Sequence, residues 1–193
     1  MGKSVGRFAV VLGLDVSAAA AVRELRLQFG LPRVSDSSTE TEVLPHVTLA
    51  SCSGLDLELF RPFAAEIAAA SGPVPCTLAS IGLFPTAEGV LFLAPAISAD
   101  LVQMQLAVFE RLRQIGAAIE PYWTPGQWVP HCTLAIGVPP ETIANALRQA
   151  MAEFQPIAGQ LVRLSVFAVT LRRCAMSFSS GRGESREFEL RAR

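Results

Sequence analysis

Two spacings of apolar residues alternate along this chain. The continuous run Phe8–Leu14 reads as a buried strand over 6–13. Ala18, Val22, Leu25 and Phe29 then recur at helical spacing, predicting a helix over 17–29 capped by Asp15 or Ser17. A polar loop fills 31–45, and a short apolar stretch at 46–51 returns to strand character. Leu57, Phe60, Ala64 and Ile67 mark a helix over 56–70, followed by a strand at 74–84, a turn at 85–89 and a strand at 90–94. Leu101, Met104, Val108, Leu112 and Ile115 stripe a helix over 99–116. A loop rich in Pro and aromatics spans 119–130, with a strand at 131–137. Pro139 and Pro140 open a helix to 154, with Ile143, Leu147, Met151 and Phe154 inward. A long strand at 160–171 leads to a C-terminal hairpin over 174–191 that turns at 179–185.

This order repeats. Strand, helix, strand, helix, strand occupies 6–84 and again 90–171. An offset of 85 residues sets Ser80 on Ser165 and Ile81 on Val166. An internal duplication brings matched faces together across a pseudo-dyad.

The strongest sign of duplication is a phrase. Residues 45–50 read Pro-His-Val-Thr-Leu-Ala and residues 130–135 read Pro-His-Cys-Thr-Leu-Ala; the chain's only two histidines occupy the same place in each. Side chains two apart on a strand share a face, so His46 stands beside Thr48 and His131 beside Thr133. Proline fits the start of each strand, where no ladder donor is needed. Imidazole exchanges protons near neutrality. Two imidazoles across one cleft can divide acid and base work, while the hydroxyls hold the oxygens of a phosphate between them. A lone strand histidine is commonly structural, but two in matched phrases argue for a site. Two His without a third ligand at a recognisable spacing make no zinc set.

The paired phrases resemble those of the two-histidine (2H) phosphoesterases, which include 2′-5′ RNA ligase-like proteins and 2′,3′-cyclic phosphodiesterases. Arg7–Leu12 resembles that family's first strand, and Gly82–Pro85 with Gly89–Leu93 its central hairpin. The resemblance implies a bilobal α+β fold of duplicated β-α-β-α-β halves, with antiparallel sheets lining a central cleft and helices outside. It implies His46, Thr48, His131 and Thr133 as catalytic residues, with no metal and no cofactor. It further implies opening of a 2′,3′-cyclic phosphate or 2′-5′ phosphodiester, and possible reversal as 2′-5′ ligation. Many RNA-processing relatives carry a basic residue soon after the second motif; here Ala135-Ile136-Gly137 follows. That shifts the expectation from an RNA end towards a small cyclic phosphate or nucleotide. A nucleotide- or RNA-binding module without turnover is the rival from another class, and an interaction protein with relic motifs the third.

Composition narrows the picture. The 193 residues, 51% hydrophobic and 17% charged, are expected to form one bilobal unit over 1–193. A formal net charge of −1 gives no footprint for duplex DNA. Residues 163–193, however, hold seven Arg and three Glu, a net of +4 against −5 elsewhere. This is either a solvated hairpin or a positive rim beside a phosphate site. Arg172 and Arg173 are the candidates there for phosphate contacts. Tyr122, Trp123 and Trp128 precede the second motif, and either stack on a base or pack hydrophobically. Cys52, Cys76, Cys132 and Cys174 form no Cys-x-x-Cys pair and read as buried free thiols. Asp15 cuts short an apolar start that faintly mimics a signal peptide, and no run approaches 18 residues. The expectation is a cytoplasmic monomer acting on a small cyclic phosphate, nucleotide or RNA end.

Overall fold

A computed structural model describes residues 6–32, 44–86, 89–169 and 186–189. The elements are β1 (Arg7–Leu14), α1 (Val16–Gln28), β2 (His46–Ser53), α2 (Leu57–Ala70), β3 (Val74–Phe84), β4 (Val90–Pro95), α3 (Ala99–Gln114), β5 (Ala118–Ile119), β6 (Cys132–Ile136), α4 (Pro140–Glu153), β7 (Ile157–Val169) and β8 (Arg186–Glu189). A 3₁₀ turn, Pro121–Trp123, follows β5. Strand, helix, strand, helix, strand occurs before β4, and again from β4 to β7 except for the added two-residue β5 between α3 and β6.

The strand pairs among the described residues are all antiparallel, in the order β5-β2-β1-β7-β3-β4-β6, with β8 on β7. The fold is α+β, and both halves share this one strand path. The long strands β3 and β7 make the join. Val74–Leu78 pairs with Ile157–Leu161, after which β3 continues against β4 and β7 against β1. That pairing explains why β7 begins at Ile157 rather than 160. The register also shifts the equivalence of the two halves. Gly82 faces Phe92, which faces Thr133, just as Ser165 faces Val11, which faces Thr48. Gly82, not Ser80, therefore corresponds to Ser165.

Alternation assigns the faces. Phe8, Val10, Leu12 and Leu14 of β1 join Val47, Leu49, Leu164 and Val166 in a core covered by helix residues such as Val22, Leu25, Phe60 and Val108. Ala9, Val11 and Gly13 share the other face with His46, Thr48 and Ser165. Asp15 caps α1: its Oδ1 accepts from Ala18 N at 2.9 Å and its Oδ2 from Gln160 N at 2.6 Å, tying the helix start to β7. Ser98 caps α3 and Asp56 caps α2.

Some expectations need correction. Met151 is 90% exposed rather than inward. At 100° per residue the stripe through Ile143, Ala146, Ala150 and Phe154 leaves it well to one side. The loop at 119–130 carries structure, since β5 pairs with Cys52 and Ser53. The strand expected at 174–179, its turn, and most of the 31–45 loop lie outside the described residues. None of the described helices is long and apolar enough to cross a membrane.

Candidate active site

Each motif strand carries the same irregularity. Thr48 pairs with Val11 and Ala50 with Val10, so Leu49 is an extra residue in β2. Thr133 pairs with Phe92 and Ala135 with Leu91, so Leu134 is an extra residue in β6. Such bulges re-aim side chains and increase local twist. Both leucines are fully buried and anchor the bulges in the core. The Leu of His-x-Thr-Leu-Ala thus marks where each strand is bent behind its threonine.

The two imidazoles are held alike. His46 Nδ1 lies 2.8 Å from the Leu44 carbonyl, and His131 Nδ1 lies 2.8 Å from the Val129 carbonyl. A carbonyl only accepts, so Nδ1 donates in both rings. In the neutral ring the lone pair then sits on Nε2. Burial pushes the His46 imidazole down to about 4; the Leu44 carbonyl opposes this, while the nearby His131 and Arg26 add to it. Burial lowers His131 too, against the Val129 carbonyl. His131 is close enough to disfavour a proton on His46. His131 stands just before β6 rather than within it. Thr48 and Thr133 are 3% and 7% exposed, on the inner parts of the two strands.

The surroundings of the two rings differ. Phe84 meets His131 edge-on with centroids 4.9 Å apart, and Phe92 and Trp123 lie 5.4 and 5.9 Å away. Phe84 and Phe92 stack at 4.3 Å. Gly82 makes room for this group, since a Cβ there would stand 2.3 Å from Phe92 Cζ. Beside His46 an aromatic neighbour is Phe167, with centroids 6.5 Å apart. Ser165 is buried in one cross-strand row with Val11 and Thr48, and Arg163 stands beyond Gly13 from His46.

The motif strands lie near opposite ends of the strand path, yet they touch. Trp128 Nε1 donates to the Thr48 carbonyl at 2.9 Å. Arg26 of α1, 4% exposed, donates to the Thr133 carbonyl at 2.6 Å. The Cys132 sulfur meets the backbone of His46, and burial raises this thiol to about 12, which fits packing rather than nucleophilic attack. Cys52 and Cys76 are likewise buried free thiols; Cys174 lies outside the described residues.

The structure therefore brings His46, Thr48, His131, Thr133 and Trp123 together. Trp128 contacts the first motif through its indole N–H. Tyr122 is 79% exposed and its ring points to solvent. Arg172 and Arg173 lie outside the described residues. Sequence reasoning missed Arg26, Phe84, Phe92, Phe167 and Ser165. Only Phe84 and Phe92 gave a signal, through the hairpin that resembles the family's.

A comparison with curated proteins finds no significant match. Among solved structures, Escherichia coli LigT complexed with NADP⁺ is 13% identical, with 98% of this chain and 99% of that chain covered at a TM-score of 0.58. TT0787 of Thermus thermophilus is 15% identical, with 96% and 98% covered at a TM-score of 0.61. E. coli LigT complexed with 3′-AMP is 14% identical, with 96% and 95% covered at 0.56. At these identities the likeness is one of fold. A profile described as the 2′-5′ RNA ligase superfamily matches residues 14–170, most of the chain. The chain belongs to this superfamily, the two-histidine phosphoesterases.

Proposed function

We propose that the protein is a metal-independent phosphoesterase that opens a 2′,3′-cyclic phosphate or a related 2′-5′ phosphodiester. One observation carries this: two neighbouring imidazoles, each fixed through Nδ1 to a carbonyl two residues upstream, each beside a threonine. One Nε2 takes a proton from water as its oxygen attacks phosphorus. The other ring, protonated, gives its proton to the ribose oxygen as the P–O bond breaks. Thr48 and Thr133 hold the non-bridging oxygens. With a ribose 5′-hydroxyl in place of water, the same groups break P–O3′ of the cyclic phosphate and leave a 2′-5′ linkage, the reverse of cleaving that linkage by attack of the 3′-hydroxyl. Binding of an anionic phosphate raises the affinity of the acid imidazole for its proton, offsetting the lowering by burial. Trp123, beside His131, is positioned to stack on a base. Nucleotide-sized ligands suit the fold, since E. coli LigT has been crystallised with 3′-AMP, ATP and NADP⁺.

The test is incubation with nucleoside 2′,3′-cyclic monophosphates in EDTA. A nucleoside monophosphate should form. Replacing either histidine by alanine should lower turnover by about 10²–10⁴-fold. Unchanged turnover in either variant defeats the mechanism. Binding without turnover by the wild type favours a nucleotide-binding module instead.

A further inference from the structure

The reach of Trp128 and Arg26 goes beyond packing. β5 covers β2 only at Cys52 and Ser53, so among the described residues the outer edge of β2 at Thr48 has no strand neighbour. β6 ends the strand path, so its outer edge at Thr133 has none there either. Buried backbone carbonyls on such edges need partners from outside the ladder. Each threonine carbonyl receives one from the opposite half. Trp128, from the second half, donates to Thr48; Arg26, from the first, donates to Thr133. Both acceptors sit directly before a bulge, where the backbone is otherwise free to twist.

We propose that Arg26 and Trp128 are positioning residues that form a reciprocal clasp, setting the separation and aim of the two threonine hydroxyls on a phosphoryl group. This rests on the phosphoesterase reading and assigns the clasp to that site. Neither residue touches the reacting atoms. Each acts through the threonine whose carbonyl it holds, and Arg26, whose charge also bears on His46, is judged against Arg26→Lys, which keeps that charge. A loosened clasp leaves the imidazoles in place but lets a hydroxyl drift from its oxygen, so the effect falls on the transition state more than on binding.

The test pairs each clasp variant with its own threonine. Trp128→Phe keeps the ring and loses the donor. Arg26→Met keeps the stem, and Arg26→Lys restores a cationic donor. On a nucleoside 2′,3′-cyclic monophosphate, Trp128→Phe should lower kcat about tenfold with KM within about threefold, for the loss of one hydrogen bond. Adding it to Thr48→Val should cost little more, because the hydroxyl it aims is gone. Adding it to Thr133→Val should multiply the two losses. Arg26→Met should show the mirror pattern, with Arg26→Lys recovering part of kcat. Independent, multiplicative losses in the Trp128/Thr48 and Arg26/Thr133 pairs, with melting temperature reduced, would show simple packing and overturn the clasp. Inorganic phosphate, titrated against the imidazole proton signals, gives a second readout without turnover. If the wild type turns over no substrate but Trp128→Phe still weakens phosphate binding only while Thr48 is present, the clasp stands and the enzymatic reading falls. Phosphate affinity and kcat both unchanged in Trp128→Phe and Arg26→Met sink the clasp alone.

Discussion

Burial disfavours a proton on His46. It lowers the imidazole from 6.5 to about 4, so between those values the unfolded chain takes up a proton that the folded protein refuses. Stability is therefore full above pH 6.5, falls as the pH drops, and levels off near pH 4. The loss should amount to about 3 kcal/mol from this group. Chemical denaturation at pH 7 and pH 4 should show it, and His46→Gln should shrink the difference between the two. Equal pH dependence in variant and wild type would mean that His46 is solvated. Gly82 gives a second residue-scale expectation. A methyl group there runs into the Phe92 ring, which packs beside His131. Gly82→Ala should destabilise by about 1–3 kcal/mol through overpacking, measured by denaturant unfolding, and turnover should fall as His131 loses its neighbour.

At the scale of elements, the turn from β1 into α1 depends on one carboxylate. Asp15 caps the helix through Ala18 N and reaches across to Gln160 N on β7. Gly159 beside it leaves room for this contact, since a Cβ there would stand 2.4 Å from Ala18 Cβ and 2.8 Å from Asp15 Oδ2. Asp15→Ala removes both bonds and should cost about 2 kcal/mol, with Asp15→Asn recovering part of it in melting experiments. The motif strands make a different point about legibility. Alternation in the sequence put His46 with Thr48 and His131 with Thr133; β2 carries both members of the first pair opposite Gly13 and Val11, whereas His131 stands just before β6. The bulges at Leu49 and Leu134 were not legible, because an extra residue shows only against its partner strand. The start of β7 was missed for a similar reason: Ile157 and its neighbours are ordered by pairing with β3, not by an apolar run of their own.

Across the whole molecule, β3 of the first half pairs with β4 and β7 of the second, and β7 of the second pairs with β1 and β3 of the first. This strand exchange ties the halves together among the described residues, so they should unfold together. Far-UV circular dichroism samples both halves, whereas the tryptophans report the stretch before β6. The two signals should follow one coincident transition. Separate midpoints would show that the halves are independent.

The sequence by itself determined the order of the longer elements, the duplicated phrases and the four side chains of the candidate site. Those depend on periodicity and on residue identity, which are local properties. It also carried the family resemblance. Only the tertiary structure decided which tautomer each histidine takes, because Leu44 and Val129 contribute nothing but a backbone carbonyl, which every residue has. The same holds for the aromatic group around His131 and for the bonds from Arg26 and Trp128 to the opposite motif. Those contacts join residues 80 and 107 positions apart. No local pattern encodes them; they exist because the strand path bends until its two motif-bearing edges meet.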